Sequence, residues 1–167
     1  FAKSMAAIGA FVGGDQQVVN FLRYNMRSQI FAKSLPMPFV IGGLKRLELL
    51  KTRPELKENL WKVVNALQKG LREKGFNIGN TEAPVTPVIL SANESMAANL
   101  IIDLRENFGI FCSAVIYPVI PKGMIILRLI PTAMHTLEDV ERTIKAFEAV
   151  AEKIKQGAYS SELKVTS

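Results

Sequence analysis

A chain of 167 residues with 49% hydrophobic and 22% charged side chains can bury a sizeable core in one domain, or in a domain plus a remnant of another, and does not have the composition of a disordered segment. Its formal net charge of +6 raises nucleic acid as a partner, but the basic residues are scattered from Arg23, Arg27 and Lys33 to Lys69, Arg72 and Lys74. Most fall at helical spacing opposite apolar positions, the pattern of a solvated helix face, so nucleic acid is not expected. One cysteine (Cys112) and one histidine (His135) exclude a disulfide framework or a conventional zinc site within the chain, and no metal is expected. The apolar run Met124–Ile130 is interrupted by Arg128, so no segment is expected to span a bilayer. The cysteine usage makes the cytoplasm the default setting.

In chain order, Lys3 stands among small residues at the start of an expected strand that Gly13-Gly14-Asp15 closes. Asp15 can cap a helix to about Ser28, with Val18, Val19, Leu22 and Met26 at helical spacing. After the break Ser34-Leu35-Pro36-Met37-Pro38, a helix is predicted from about Phe39 to Lys51. Pro54 then suits the first turn of the next helix, which carries Leu56, Leu60, Val63, Val64, Leu67 and Leu71 to a stop at Gly75. Val85–Leu90 reads as a strand whose Pro87 places it at a sheet edge. A helix over Ser95–Asn107 ends at Phe108-Gly109, strands follow at Ile110–Tyr117 and Met124–Leu129, and Pro121-Lys122-Gly123 forms the turn between them. Thr136-Leu137-Glu138-Asp139 resembles a capping box opening a last helix to about Lys155. From about Glu55 this order makes an α+β module with helices covering one face of a small sheet, and the last residues read as a frayed tail.

Two positions carry chemistry. Lys3, an amine among tiny neighbours, leaves room for a flat, bulky group; lysine makes such an attachment by forming a Schiff base with an aldehyde, of which pyridoxal phosphate is the best-known biological case. The other reading is a solvated lysine at the end of a strand. Arg128 follows Met124-Ile125-Ile126-Leu127, and an arginine on a strand made for burial demands an anionic partner, either an internal carboxylate or a bound one. Cys112, within Gly109–Val115, reads as a packed thiol.

The segment Phe1-Ala2-Lys3-Ser4 resembles the cofactor-lysine motif of class II pyridoxal-phosphate aminotransferases, and within them the α-oxoamine synthases, which join an amino acid to an acyl-CoA. The resemblance continues through Arg27–Pro36, Tyr117–Gly123 and Leu127–Thr136. It implies an α/β fold, that of the fold type I pyridoxal-phosphate transferases. Residues 1–53 would be the end of the large cofactor-binding domain, 54–157 a small carboxyl-terminal domain with a short, mostly antiparallel sheet covered by helices, and 158–167 a tail. It also implies that the chain is the carboxyl-terminal part of a larger enzyme, inactive by itself. The glycine-rich phosphate loop, the ring-stacking residue and the Asp that pairs with the pyridine nitrogen would then lie upstream.

By the same resemblance, pyridoxal 5'-phosphate is the cofactor, Lys3 holds it and moves the proton at the substrate α-carbon, and Arg128 binds the substrate carboxylate. Ser34 lies in the segment that reaches the cofactor phosphate of the other subunit of a homodimer whose active site is at the interface. Relatives carry a hydroxyl where this chain has Ala32 or Lys33, so Ser34 or Lys33 substitutes for it, or both are ordinary loop residues. His135 would hold the turn beside the Arg128 strand. The substrates are an amino acid and an acyl-CoA. Pro118-Val119-Ile120-Pro121-Lys122-Gly123 places glycine C-acetyltransferase (2-amino-3-ketobutyrate CoA ligase) first, with serine palmitoyltransferase and 8-amino-7-oxononanoate synthase behind it. A non-catalytic dimerisation or binding module of the same fold is the reading from another class.

Overall fold

The computed structural model describes residues 1–159, which divide at Pro54 into two compact units. In the first, Phe1–Pro54, residues 1–15 form turns and bends and no strand. The Ala6 N–H donates to the Lys3 carbonyl at 2.9 Å and the Ala7 N–H to that of Phe1 at 3.0 Å. The expected opening strand is therefore absent: a strand needs a paired neighbour, and this unit contains none among its described residues.

Helix α1 (Gln16–Asn25) follows, with Asp15 at its cap position but its side chain accepting no capping bond. The helix stops short of Ser28 because Met26 is extended (ψ 107°), and the Asn25 side chain donates to the Phe21 carbonyl in the last turn. A short turn of helix, α2 (Arg27–Ile30), and α3 (Met37–Thr52) complete the unit. None of these helices buries a residue; Phe11, Phe21, Phe31 and Leu44 are all exposed. Gly9 has a positive φ of 96°, a conformation that calls for glycine, and it packs against the Leu35 side chain.

The second unit, from Glu55 onward, has the core. Helix α4 (Pro54–Glu73) buries Val63, Val64, Leu67, Gln68 and Leu71 along one stripe. The chain turns at Gly75 (φ 80°) into β1 (Thr86–Ser91), then α5 (Glu94–Phe108), β2 (Ser113–Val115), β3 (Met124–Leu129) and α6 (Leu137–Lys155). Asn93 caps α5 by accepting from the Met96 N–H, and Gly109 ends it in the left-handed conformation (φ 67°). Thr136 and Asp139 form the predicted capping box of α6.

The strands pair antiparallel in the order β1-β3-β2, so the Pro87 strand is at an edge, where its missing N–H is tolerated. Strand β2 is much shorter than the Ile110–Tyr117 expected. Only Ser113–Val115 pair with β3, while Ile110 and Cys112 are buried in the core cluster instead. One sheet face, with Thr86, Val88, Ile125, Leu127 and Leu129, is buried. Val88, Leu127 and Leu129 pack with Leu67, Leu100, Leu104 and Phe147 from the three helices. Gln68 ties α4 to β1 by donating to the Thr86 hydroxyl at 3.2 Å and to the Ala83 carbonyl at 3.0 Å.

The unit also extends further than its apolar pattern indicates. Tyr159, placed in the tail by sequence, is buried, and its hydroxyl donates to Asp103 on α5. Lys153 on α6 donates to both Asp103 oxygens, at 3.0 and 2.8 Å, and Asn107 to Oδ1 at 2.6 Å. The rest of the predicted tail, residues 160–167, lies outside the described residues. Burial would raise the Asp103 carboxyl, but the hydrogen bonds from Lys153, Tyr159 and Asn107 outweigh it and hold the group below its ordinary value. Burial and the neighbouring carboxylate push the Tyr159 hydroxyl well above its own.

Because the Asp103 pKa is depressed in the folded state, its contribution to stability is present above the ordinary carboxylate value near ~3.9 and is lost as pH falls through the depressed one. Tyr159→Phe is expected to cost about 1–2 kcal/mol at pH 7. Asp103→Asn is expected to cost more and to flatten the loss of stability on acidification. Urea unfolding of the chain between pH 7 and pH 3 reads both effects.

Candidate functional site

Strand periodicity places Arg128. With Ile125, Leu127 and Leu129 turned into the core, Met124, Ile126 and Arg128 face the other way, and Arg128 is exposed. It sits on the central strand, with Pro87 opposite on β1 and Ser113 opposite on β2. Half-buried Pro87, Ile89, Ser113, Val115 and Ile126 share its face. Its Nε donates to the Ser113 hydroxyl at 3.2 Å, and among the described residues no carboxylate pairs with it. Among the described residues, the internal salt bridge allowed by the sequence does not form. The guanidinium is held by one neutral contact, with its two terminal nitrogens available to a carboxylate in bidentate fashion.

Lys3 and Ser34 belong to the first unit, and both are exposed. The Lys3 ammonium has no hydrogen-bond or ion-pair partner among the described residues, and neither has the Ser34 hydroxyl. Ser34 lines an open concavity of about 860 Å³ together with Arg23, Ser28, Gln29 and Lys33; Lys3 is not in its wall. These two residues are thus not brought to one cavity within the unit.

Beside the sheet, the Lys122 ammonium lies over the Tyr117 ring, 4.9 Å from its centroid. Tyr117 and Lys122 are both in the connection between β2 and β3. His135 Nδ1 accepts from the Thr132 N–H at 2.9 Å, and the His135 N–H donates to the Thr132 carbonyl at 3.2 Å. The ring therefore closes the turn between β3 and α6. A cavity of about 200 Å³ lies at the end of β3, lined by Leu129, Ile130, His135 and Asp139 among others; Arg128 is not part of it.

The model of the family described as aminotransferase class I and II matches residues 1–147. The chain belongs to that family. It is 60% identical over 159 residues to a cysteate-C-fatty acyltransferase of Capnocytophaga ochracea, covering 95% of this chain and 38% of that protein. It is 34% identical over 145 residues to a serine palmitoyltransferase of Sphingobacterium spiritivorum, covering 87% and 36%. A serine palmitoyltransferase structure with PLP matches with a TM-score of 0.81 at 28% identity, over 93% of this chain and 39% of that one. The chain thus spans less than two-fifths of these relatives. The fold is that of the fold type I pyridoxal-phosphate enzymes, and the antiparallel sheet under three helices is the expected α+β portion of it.

The donor set of this aminotransferase-family chain fits pyridoxal phosphate. Among the described residues Lys3 has an unpartnered amine between Ala2 and Ser4, the group with which an aldehyde reacts, and Ser34 has an unpartnered hydroxyl in a concavity also lined by cationic Arg23 and Lys33, groups of the kind that bind a phosphate. Cys112 offers no second nucleophile, because burial pushes its thiol up to about 11. One contributor was missed by sequence reasoning: Ser113, a small polar residue in an apolar strand. The signal for Ser113 becomes readable only once the register with Arg128 is known.

At pH 8 a thiol of pKa about 11 is ionised to roughly one part in a thousand, against about a quarter for an unperturbed cysteine. Labelling of Cys112 by an aromatic disulfide reagent is therefore expected to be at least ~100-fold slower in the folded chain than in urea. Equal rates would show that the thiol is not buried.

Proposed function

We propose that this chain is the carboxyl-terminal part of a pyridoxal-phosphate-dependent acyltransferase that condenses an amino acid, cysteate, with a fatty acyl-CoA. The observation that carries this reading is the 60% identity, over nearly the whole chain, to a cysteate-C-fatty acyltransferase. Serine palmitoyltransferase is the second branch, supported by the 34% identity to such an enzyme. Glycine C-acetyltransferase, placed first on the Pro-Lys-Gly loop, moves behind both.

In this reading Phe1–Pro54 is the end of the large cofactor-binding domain, and the unit from Glu55 onward is the small domain. The full enzyme is a cytoplasmic homodimer; among the described residues no helix is long and apolar enough to cross a membrane. Lys3 and Ser34 would hold the cofactor, Lys3 by its amine and Ser34 at the phosphate of the other subunit. Their separation in this unit, with Lys3 outside the cavity that Ser34 lines, agrees with such a division. The bound ring supplies a sink for the negative charge that develops at the substrate α-carbon. Arg128 binds the substrate carboxylate through its two terminal nitrogens, orienting the α-carbon. Lys3 takes the α-proton as a general base. The α-carbon then bonds to the acyl carbon, the acyl carbon–sulfur bond breaks, and CoA leaves as its thiol with the proton Lys3 took. The carboxylate departs as carbon dioxide, its bonding pair stays with the α-carbon, and a proton from solvent takes its place.

The test is CoA release by the full-length, cofactor-loaded enzyme, with palmitoyl-CoA and either cysteate or serine, and with acetyl-CoA and glycine. Release dependent on cysteate, abolished by Lys3→Ala, is expected. Arg128→Lys should raise the KM for the amino acid by roughly 10- to 100-fold, with little change in cofactor affinity. Turnover with glycine alone would return the glycine branch to first place. The absence of release with all three amino acids would favour the non-catalytic module.

A further inference from the structure

Every arginine that binds a substrate carboxylate faces a conflict. Its long side chain must be held in one orientation, yet the commonest anchor, a carboxylate, would occupy the donors and neutralise the charge the substrate needs. The Arg128 environment resolves this with a single residue. On one side its cross-strand neighbour is Pro87, whose side chain has no hydrogen-bonding atom. On the other it is Ser113, whose hydroxyl accepts from Nε at 3.2 Å. The remaining cross-strand residues on that face are apolar apart from Ser91, which is paired with Met124 four residues away along β3.

We infer that Ser113 is a positioning residue that fixes the Arg128 guanidinium through Nε and so presents its terminal fork to the substrate carboxylate. This rests on the reading of Arg128 given under Proposed function. The geometry favours the role in three respects. The hydroxyl is neutral, so the guanidinium keeps its full charge. It binds the Nε edge of the fork, so the two terminal nitrogens stay together for a bidentate partner. Both residues stand on paired strands over a packed core, so their separation is set by the ladder and not by a loop. Ser113 touches neither the cofactor nor the reacting atoms in this role; it acts through Arg128.

The experiment uses the full-length, cofactor-loaded enzyme and measures steady-state kinetics together with calorimetric binding of the amino acid. Ser113→Ala is expected to weaken amino-acid binding and raise its KM by roughly tenfold, leaving kcat and the KM for acyl-CoA within about twofold. Ser113→Thr, which keeps the hydroxyl on a β-branched residue suited to a strand, is expected to restore both. The double variant Ser113→Ala/Arg128→Lys should bind the amino acid no worse than Arg128→Lys alone. The inference is overturned if Arg128→Lys weakens amino-acid binding while Ser113→Ala does not. It is equally overturned if Ser113→Ala lowers kcat and both affinities together without rescue by threonine, which marks a merely structural residue. If Arg128→Lys itself leaves amino-acid binding unchanged, the fault lies with the underlying reading of Arg128, and the role of Ser113 falls with it.

Discussion

Side chains on a strand alternate, and that alternation governs the carboxyl-terminal unit. Burying Ile125, Leu127 and Leu129, the last two in the core cluster with α4, α5 and α6, turns Arg128 to the opposite face. A slip of one residue in register would send the guanidinium into the core and three apolar side chains to the surface, at a cost no local interaction could offset. The same pairing puts Ser113 beside Arg128. The placement of a charged group thus follows from the burial of its uncharged neighbours. Because β3 is the central strand, with a partner on either side, that placement is rigid in a way that an edge strand could not provide.

The two units hold their chemistry differently. Arg128 stands on a ladder over a continuous core, and the unit is tied further by Asp103, which gathers Lys153, Tyr159 and Asn107 from α6, the segment beyond it and α5 itself. Lys3 and Ser34 stand on irregular backbone in a unit that buries no residue of its own. Apolar side chains such as Phe11, Phe21 and Leu44 are left exposed there, so the local sequence specifies helices without specifying what packs on them. An arginine that must present two nitrogens in a fixed plane gains from the first kind of support.

Much of the second unit was legible residue by residue. Strand β3 has the predicted bounds. The capping box at Thr136, the glycine stop after α5 and the edge position of the Pro87 strand all follow from local stereochemistry. The departures have different origins. The opening strand read from small and apolar residues has no partner strand among the described residues of its unit. Asp15 stands at a cap position without making the cap. Strand β2 is limited to the three residues whose backbone meets β3. Tyr159 looked like tail because its partner, Asp103, is 56 residues away in sequence. For β2 and Tyr159 the deciding group is remote in the chain.

The sequence by itself determined the helices, the central strand, the caps and the motif segments by which the family could be recognised, because these depend on residue type and on neighbours within a few positions. Only the tertiary structure decided that Arg128 meets no carboxylate among the described residues, that Ser113 holds its Nε, and that Asp103 ties α5 to α6 and Tyr159. Those facts depend on which strands pair and in what register. Register is fixed by the packing of the whole sheet face against three helices, a property of the assembled core that no local stretch of residues carries.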